Sequence, residues 1–376
     1  MQRPRVTELK SPVGVYVHFP WCVRKCPYCD FNSHPLQGEL DEARYLEALL
    51  TDLEQNLPTD IEVGSVFFGG GTPSLFAPRT FKTLLDGIAA RLVDDAEITM
   101  EANPGTTEHH DFADYRAAGI NRLSLGAQSF DDSQLLQLGR IHAGSDTLTC
   151  FAKARAAGFT NINLDLMYGL PRQRADEALA DLRAAVELAP EHISWYQLTI
   201  EPRTEFAQHP PILATESEVE QSEEQGRAVL AGAGYGRYEI SAYALPGRAS
   251  RHNLNYWSFG DYFGLGAGAH GKLSQQEHIS RTHKPRQPRL YLKDPAATTT
   301  APVDPQELVF EFMLNALRLS EGVSFSTFTE RTRLPADVLQ PLWARLVAEG
   351  LTRSERICTT PLGYRYLDSV VARFLT

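Results

Sequence analysis

Three cysteines, Cys22, Cys26 and Cys29, stand in the run Tyr16-Val-His18-Phe-Pro-Trp-Cys22-Val-Arg-Lys-Cys26-Pro-Tyr28-Cys29. Iron–sulfur cubanes usually take four protein thiolates, one for each iron. Three thiolates on one short loop leave one iron open. An open iron can bind a small molecule and pass it an electron. The competing chemistry is a structural zinc site, which needs four ligands. Only His18 and His34 lie near enough in sequence to be the fourth, and no second Cys pair follows. A disulfide framework is disfavoured, because three of the five cysteines crowd into eight positions. Cys150 and Cys358 stand alone.

Further along, four segments carry groups that suit a small polar ligand. Phe67-Phe-Gly69-Gly70-Gly71-Thr72-Pro73-Ser74 has three successive glycines. Without Cβ atoms, its amides and carbonyls can approach a ligand closely. It lacks the Gly-Lys-Ser/Thr of a P-loop. Glu101 ends an apolar stretch and is a candidate for a ribose diol, which acidic side chains commonly hold. Gln128 offers an amide and Arg140 a cation for a carboxylate. Asp165 sits inside the apolar run Asn163-Leu-Asp165-Leu-Met, where an acid is costly without a partner. A ligand hydroxyl would supply one.

These groups need a scaffold that brings loops to one mouth. Apolar runs at Val13–His18, Ser65–Phe68, Ile98–Glu101, Arg122–Leu125, Ile162–Leu166 and Ile193–Ile200 read as strands. Amphipathic runs at Asp41–Gln55, Thr80–Leu92, Phe112–Ala118, Asp146–Ala157 and Ala175–Leu188 read as helices between them. Gly119 and Gly158 stand where helix C-caps belong. Such alternation predicts a parallel sheet with covering helices. The α/β pattern has six strands, too few for a closed eight-stranded barrel, so the expectation is an open, partial (β/α)6 TIM-like barrel. In that architecture chemistry sits at the C-terminal strand ends, and each segment above ends there. The reading gives a core over 1–200, an extension over 201–300 and a small unit over 301–376. The last has helical runs at Pro305–Leu319, Ser326–Thr332 and Pro335–Glu349, a two-stranded wing at Leu351–Arg353 and Ile357–Thr359, and a closing helix at Leu362–Phe374. It resembles a winged helix. Its Pro335–Glu349 helix carries Asp337 and Glu349 against only Arg345, so a lid or dimer contact is preferred to a DNA reader.

Composition narrows the partners. The 376-residue chain has a net charge of −11, which argues against nucleic acid, whose binding depends on phosphate-neutralising cations. No stretch reaches the ~20 apolar residues of a membrane helix, and the first residues show no secretory leader. A reducing, cytoplasmic setting suits an open cluster. One basic run, Arg281-Thr-His-Lys-Pro-Arg-Gln-Pro-Arg289, reads as a solvated loop, or else as a contact for propionates or for anionic lipid at a membrane surface.

The cysteine spacing and the glycine run resemble those of radical S-adenosylmethionine (SAM) proteins. The motifs in order, over nearly the whole chain, resemble the HemN-like branch, which includes oxygen-independent coproporphyrinogen III dehydrogenases. The resemblance implies a [4Fe–4S] cluster on Cys22, Cys26 and Cys29, and SAM held by Tyr16, Gly70, Thr72, Glu101, Gln128, Arg140 and Asp165. Tyr28 and Gly71 are grouped with these as cofactor-binding positions. It also implies an electron donor, and reductive cleavage of SAM to methionine and a 5′-deoxyadenosyl radical, chemistry that belongs to the cofactor. No side chain is assigned as catalytic. The chain departs from the enzyme pattern at Phe31, where those enzymes carry a fourth cysteine, and has only fifteen residues before Tyr16. It has instead Arg251-His252-Asn253-Leu-Asn255-Tyr256-Trp257, which resembles the haem-binding H-N-x-x-Y-W element of the HemW family of haem chaperones. That likeness implies haem as ligand, His252 as an axial ligand, apo-haemoproteins such as respiratory cytochromes as clients, and a homodimer as a possible assembly. The following Gly260–Gly271 run reads as a strand with close backbone approach. His270 reads as structural or as a second axial ligand.

Overall fold

The computed structural model describes residues 12–106, 110–275 and 278–375. The expectations made on the first residues, that no secretory leader is present and that the arm before Tyr16 is short, fall largely outside the described residues. All six predicted strands form: β1 (Val13–Phe19), β2 (Val63–Gly70), β3 (Leu92–Ala102), β4 (Arg122–Gln128), β5 (Ile162–Tyr168) and β6 (His192–Gln197). They pair in parallel in that order. Alternation decides which side chains face inward. Along β4, β5 and β6 the polar positions Arg122 and Ser124, Asn163 and Asp165, and His192 and Ser194 recur at every second residue, the period of a strand.

The five predicted helices also form: α1 (Glu42–Asn56), α2 (Pro78–Ile88), α3 (Phe112–Ala117), α4 (Gly144–Ala156) and α5 (Ala175–Glu187). Asp41 caps α1 by accepting from the Arg44 amide, and Asp111 caps α3. Gly119 and Gly158 have φ of +111° and +87°, the left-handed turn that ends a helix at little cost. Helices meet sheet through aromatic packing. Phe19 contacts Tyr45, Phe68, Phe76 and Phe81, with ring centroids 4.6–6.1 Å apart.

The sheet is larger than its six-stranded core. Gly236–Glu239 (β7) and Ala242–Ala244 (β8) extend it beyond β6, antiparallel. Tyr262–Leu265 (β9), from the glycine-rich run, pairs with β1 in parallel. His270–Ser274 (β10), Ile279–His283 (β11) and Thr299–Pro302 (β12) continue from it, antiparallel. The order is β12-β11-β10-β9-β1-β2-β3-β4-β5-β6-β8-β7, and β1 and β6 do not meet, so the barrel is open. Between β8 and β9 the His252 motif forms a short helix, α6 (Arg251–Trp257), capped by Ser250.

The basic run is built into the fold, contrary to the solvated-loop expectation. Arg281 pairs with Glu311 at 2.6 Å. Lys284 is buried and pairs with the buried Asp52. Both cations gain partners that sequence distance concealed.

A second hydrophobic cluster gathers Phe312, Phe328, Trp343, Leu346, Ile357 and Val370, with Phe259 and Ile279 joining from the extension. Here two helical runs are interrupted where their periodicity suggests a single piece. The Pro335–Glu349 run opens as a 3-10 turn, Ala336–Leu339, before the α-helix Gln340–Ala348. The closing helix breaks at Tyr366. The wing is reduced to a Thr352–Thr359 bridge, because Ile357 exchanges its backbone hydrogen bonds with Val323 instead.

Candidate functional site

The cysteine loop leaves β1 and closes on itself. Trp21–Cys22 pairs with His34–Pro35 as a two-residue parallel ladder. Gly71 N donates to Phe19 O at 2.6 Å and Thr72 N to Trp21 O at 2.8 Å, tying the glycine run to the cysteine loop. A Cβ at Gly71 would come within 2.8 Å of Phe19 O, so the close approach requires glycine. Gly70 has φ of +113°.

Cys22, Cys26 and Cys29 line one cavity of about 470 Å³ together with Tyr28, Gly70, Gly71, Thr72, Glu101, Gln128, Arg140 and Asp165. Eleven positions named from sequence therefore share one chamber. Burial raises the Cys22 and Cys29 thiol pKa values, and hydrogen bonds from Thr72 and Ser33 to Cys22 partly offset this. Among the described residues no three His, Cys, Asp or Glu side chains converge on a single metal ion. The donor set fits a cluster: three thiolates on a cavity wall, facing groups suited to an amino acid and a ribose.

Those facing groups are held firmly. Arg140 donates from Nη2 to Gly126 O at 2.7 Å, and its Nη1 lies 3.8 Å from Cys26 Sγ. Its Nε is buried with no protein partner among the described residues, a donor waiting for an acceptor. Gln128 sits at a register shift of β4 with φ of +67°, a strained position of the kind concentrated at functional sites. Its Oε1 accepts from Tyr196 at 2.8 Å. Glu101 accepts from Gly70 N at 3.0 Å. Burial first, then the Asp165 charge, pushes its carboxyl up to about 8. Asp165 accepts from Ser124 Oγ at 2.9 Å and from Asn163 Nδ2 at 2.8 Å. Burial raises its pKa and these bonds lower it.

Tyr16 and His252 lie elsewhere, in an adjoining cavity of about 790 Å³ lined also by His18, Tyr256, Trp257, Tyr262, His270 and Arg286. The two chambers share Asp30, Phe31, Phe67, Gly70, Glu101, Asn253 and Trp257 as walls. Tyr16 donates to His18 Nδ1 at 2.9 Å. His18 Nε2 then donates to Asn32 O, also at 2.9 Å. The His252 ring stacks on Phe67 at 4.5 Å, and its backbone N–H donates to Glu97 at 3.3 Å. Burial, with the Arg122 charge second, lowers the His252 pKa to about 4, so its imidazole is neutral. Phe31 is 57% exposed and lies on the shared wall.

Sequence reasoning missed Arg122, Ser124, Asn163, His192 and Tyr196, all lining the first chamber. The signal was available as polar residues at alternate positions of otherwise apolar strands.

Comparison with known proteins follows this geometry closely. Residues 16–185 match the Radical SAM superfamily, and residues 303–366 match the HemN C-terminal domain. The chain is 47% identical over 371 residues to "Heme chaperone HemW" of Escherichia coli, covering 97% of this chain and 98% of that one. It is 39% identical to mouse "Radical S-adenosyl methionine domain-containing protein 1, mitochondrial", covering 76% of this chain and 68% of that one. Among solved structures, coproporphyrinogen III oxidase (HemN) of Escherichia coli superposes with a TM-score of 0.80 at 22% identity, covering 97% and 90% of the two chains. That last likeness speaks to the fold.

Proposed function

The chain belongs to the HemW family of the radical SAM superfamily, and from that premise we propose that it is a haem chaperone. It binds a [4Fe–4S] cluster through Cys22, Cys26 and Cys29, and SAM in the first chamber. Arg140 receives the SAM carboxylate, the Gly70–Gly71 backbone the amino group, and Glu101 and Asp165 the ribose. The cluster would supply an electron to that chamber. Haem is the cargo. It lies in the second chamber with His252 on the iron, against Tyr16, Phe67, Tyr256, Trp257 and Tyr262. Flat aromatic walls suit a macrocycle, and Arg286 offers a cation to a propionate. The clients are apo-haemoproteins such as respiratory cytochromes, in a cytoplasmic setting. No helix among the described residues is long and apolar enough to cross a membrane. With Arg281 and Lys284 committed to Glu311 and Asp52, Arg286 and Arg289 are the run's exposed arginines.

One observation carries the reading. A neutral imidazole stands in an aromatic chamber that shares a wall with the cysteine chamber. The enzyme alternative, coproporphyrinogen III dehydrogenation, would use the same fold. Anaerobic protein with reconstituted cluster separates them. Haem titration is expected to give a Soret band that weakens in His252→Ala, and loaded protein to pass haem to an apocytochrome. Incubation with coproporphyrinogen III, SAM and reductant is expected to give no protoporphyrinogen. Product at enzyme-like rates overturns the chaperone reading.

A further inference from the structure

A continuous chain of hydrogen bonds runs along the first chamber to the wall that it shares with the second, and each proton in it can be assigned. Asn163 Oδ1 accepts from the Ser194 backbone N–H at 2.9 Å, which fixes that atom as the oxygen. His192 Nδ1, 2.6 Å from the same oxygen, must therefore carry a proton. Burial, with the Arg122 charge second, lowers the His192 pKa well below its ordinary value. The ring is neutral and its Nε2 is an acceptor. Tyr238 O–H, 2.8 Å away, must donate to it. The tyrosine has then spent its only proton, so it accepts from Asn253 Nδ2 at 3.1 Å. At the other end, Asn163 Nδ2 donates to Ser124 Oγ at 2.7 Å and to Asp165 at 2.8 Å. Ser124 donates to the second Asp165 oxygen at 2.9 Å. Every donor points the same way: Asn253 to Tyr238 to His192 to Asn163 to Asp165.

The two ends of this chain differ in what they line. Asp165 lines the cysteine chamber only. Asn253 follows His252 on α6 and lines both chambers. In the orientation described, the Asn253 NH2 donates to Tyr238 Oη at 3.1 Å, so the other end of the amide is its oxygen. Reversed, it would take the Tyr238 proton, leave the buried His192 Nε2 without a donor and present NH2 to the chambers. A buried acceptor left unpaired is costly, so the state of His192 selects the state of Asn253. Hydroxyls of a ligand on Asp165 compete with Asn163 and Ser124 for its two oxygens, and a change in those bonds alters the polarisation of the chain behind them.

We propose that His192 and Tyr238 are positioning residues that couple a nucleoside diol on Asp165 to the orientation of Asn253 and thereby to haem held by His252. The inference rests on the functional reading above. Its thermodynamic content is reciprocity: each ligand changes the affinity of the other by the same factor. Typical couplings of this kind run from about fivefold upward.

The test uses anaerobic, cluster-loaded full-length protein, with S-adenosylhomocysteine as a nucleoside probe that supplies no cleavable sulfonium. Haem Kd is measured from the Soret band with and without saturating probe. Wild type is expected to show at least about a fivefold difference. Tyr238→Phe, which removes one oxygen, is expected to bring the ratio to within about twofold of unity, while each ligand alone binds within about threefold of wild type. His192→Gln, which can donate to Asn163 and accept from Tyr238, is expected to retain much of the coupling. A purely structural role would lower stability and leave the ratio alone. A wild-type ratio near unity, with both ligands bound, overturns the coupling only, as does an unchanged ratio in Tyr238→Phe. Haem binding absent in wild type, or unchanged in His252→Ala, overturns the functional reading and the coupling with it.

Discussion

Asn32 joins the cysteine loop to the glycine-rich turn that follows β9: its side-chain amide donates to Ala267 O at 3.0 Å, with a further bond to Arg286 O at 2.9 Å. His18 completes the clasp from the other side through Asn32 O. One asparagine thus fixes the distance between the thiolates and the wall of the second chamber. Asn32→Ala leaves the buried Ala267 carbonyl without this donor, at a cost of about 1–3 kcal/mol, while the exposed Arg286 carbonyl can turn to water. The expected outcome is a Tm lowered by a few degrees and faster bleaching of the cluster absorbance in air. Bleaching at the wild-type rate would remove Asn32 from this role.

The raised Glu101 pKa gives SAM binding a pH dependence. In the empty protein the carboxyl, at about 8, is protonated at pH 7. SAM carries a sulfonium and an ammonium, which favour the ionised form. Binding therefore releases a proton, and affinity is expected to rise from pH 6 to pH 8 by up to about tenfold per unit, then level off. Isothermal titration in two buffers of different ionisation enthalpy counts the proton. Glu101→Gln is expected to bind more weakly and to lose this slope. A wild-type slope of zero between pH 6 and 8 contradicts the assignment.

His252 predicts a flat profile for haem. A proton competes with iron for the imidazole lone pair. An ordinary histidine would lose affinity below about pH 6.5, whereas His252, lowered to about 4, is expected to hold haem evenly from pH 8 to pH 5. Soret titrations across that range check it. A tenfold loss between pH 7 and 5.5 would mean that a solvated histidine is the ligand.

The Asp52–Lys284 pair anchors the extension to α1. Both are fully buried, and Asp52 also accepts from Gly266 N at 3.0 Å and Tyr291 O–H at 2.9 Å. Lys284→Met strands a carboxylate in the interior, and breaking such a pair costs about 3–5 kcal/mol. The double variant Asp52→Asn/Lys284→Met is expected to recover part of that loss in anaerobic chemical denaturation. A single variant as stable as wild type would refute the account.

Much of this molecule was legible in one dimension. Three thiolates within eight positions share a loop whatever the fold does around them. The six core strands and five helices follow from apolar periodicity, a local property. The glycines at 69–71 announced a close backbone approach, and Gly71 makes it against Phe19. The edges of the sheet were less clear, since short strands such as Ala242–Ala244 offer too few residues for a period. The basic run misled for a different reason: Lys284 looks solvated until Asp52, 232 residues away, is brought beside it.

The sequence by itself determined the chemistry at hand: which side chains could hold iron, a carboxylate, a diol or a macrocycle. Tertiary structure alone decided how those chemistries are arranged. It placed Tyr16 and His252 in a chamber beside the thiolates, with Phe67 and Glu101 as common wall. It also strung Asp165 to Asn253 through His192 and Tyr238. The physical reason is that a hydrogen bond or shared wall is a relation between two distant points on the chain. Local propensity carries no record of which points the sheet order will bring together.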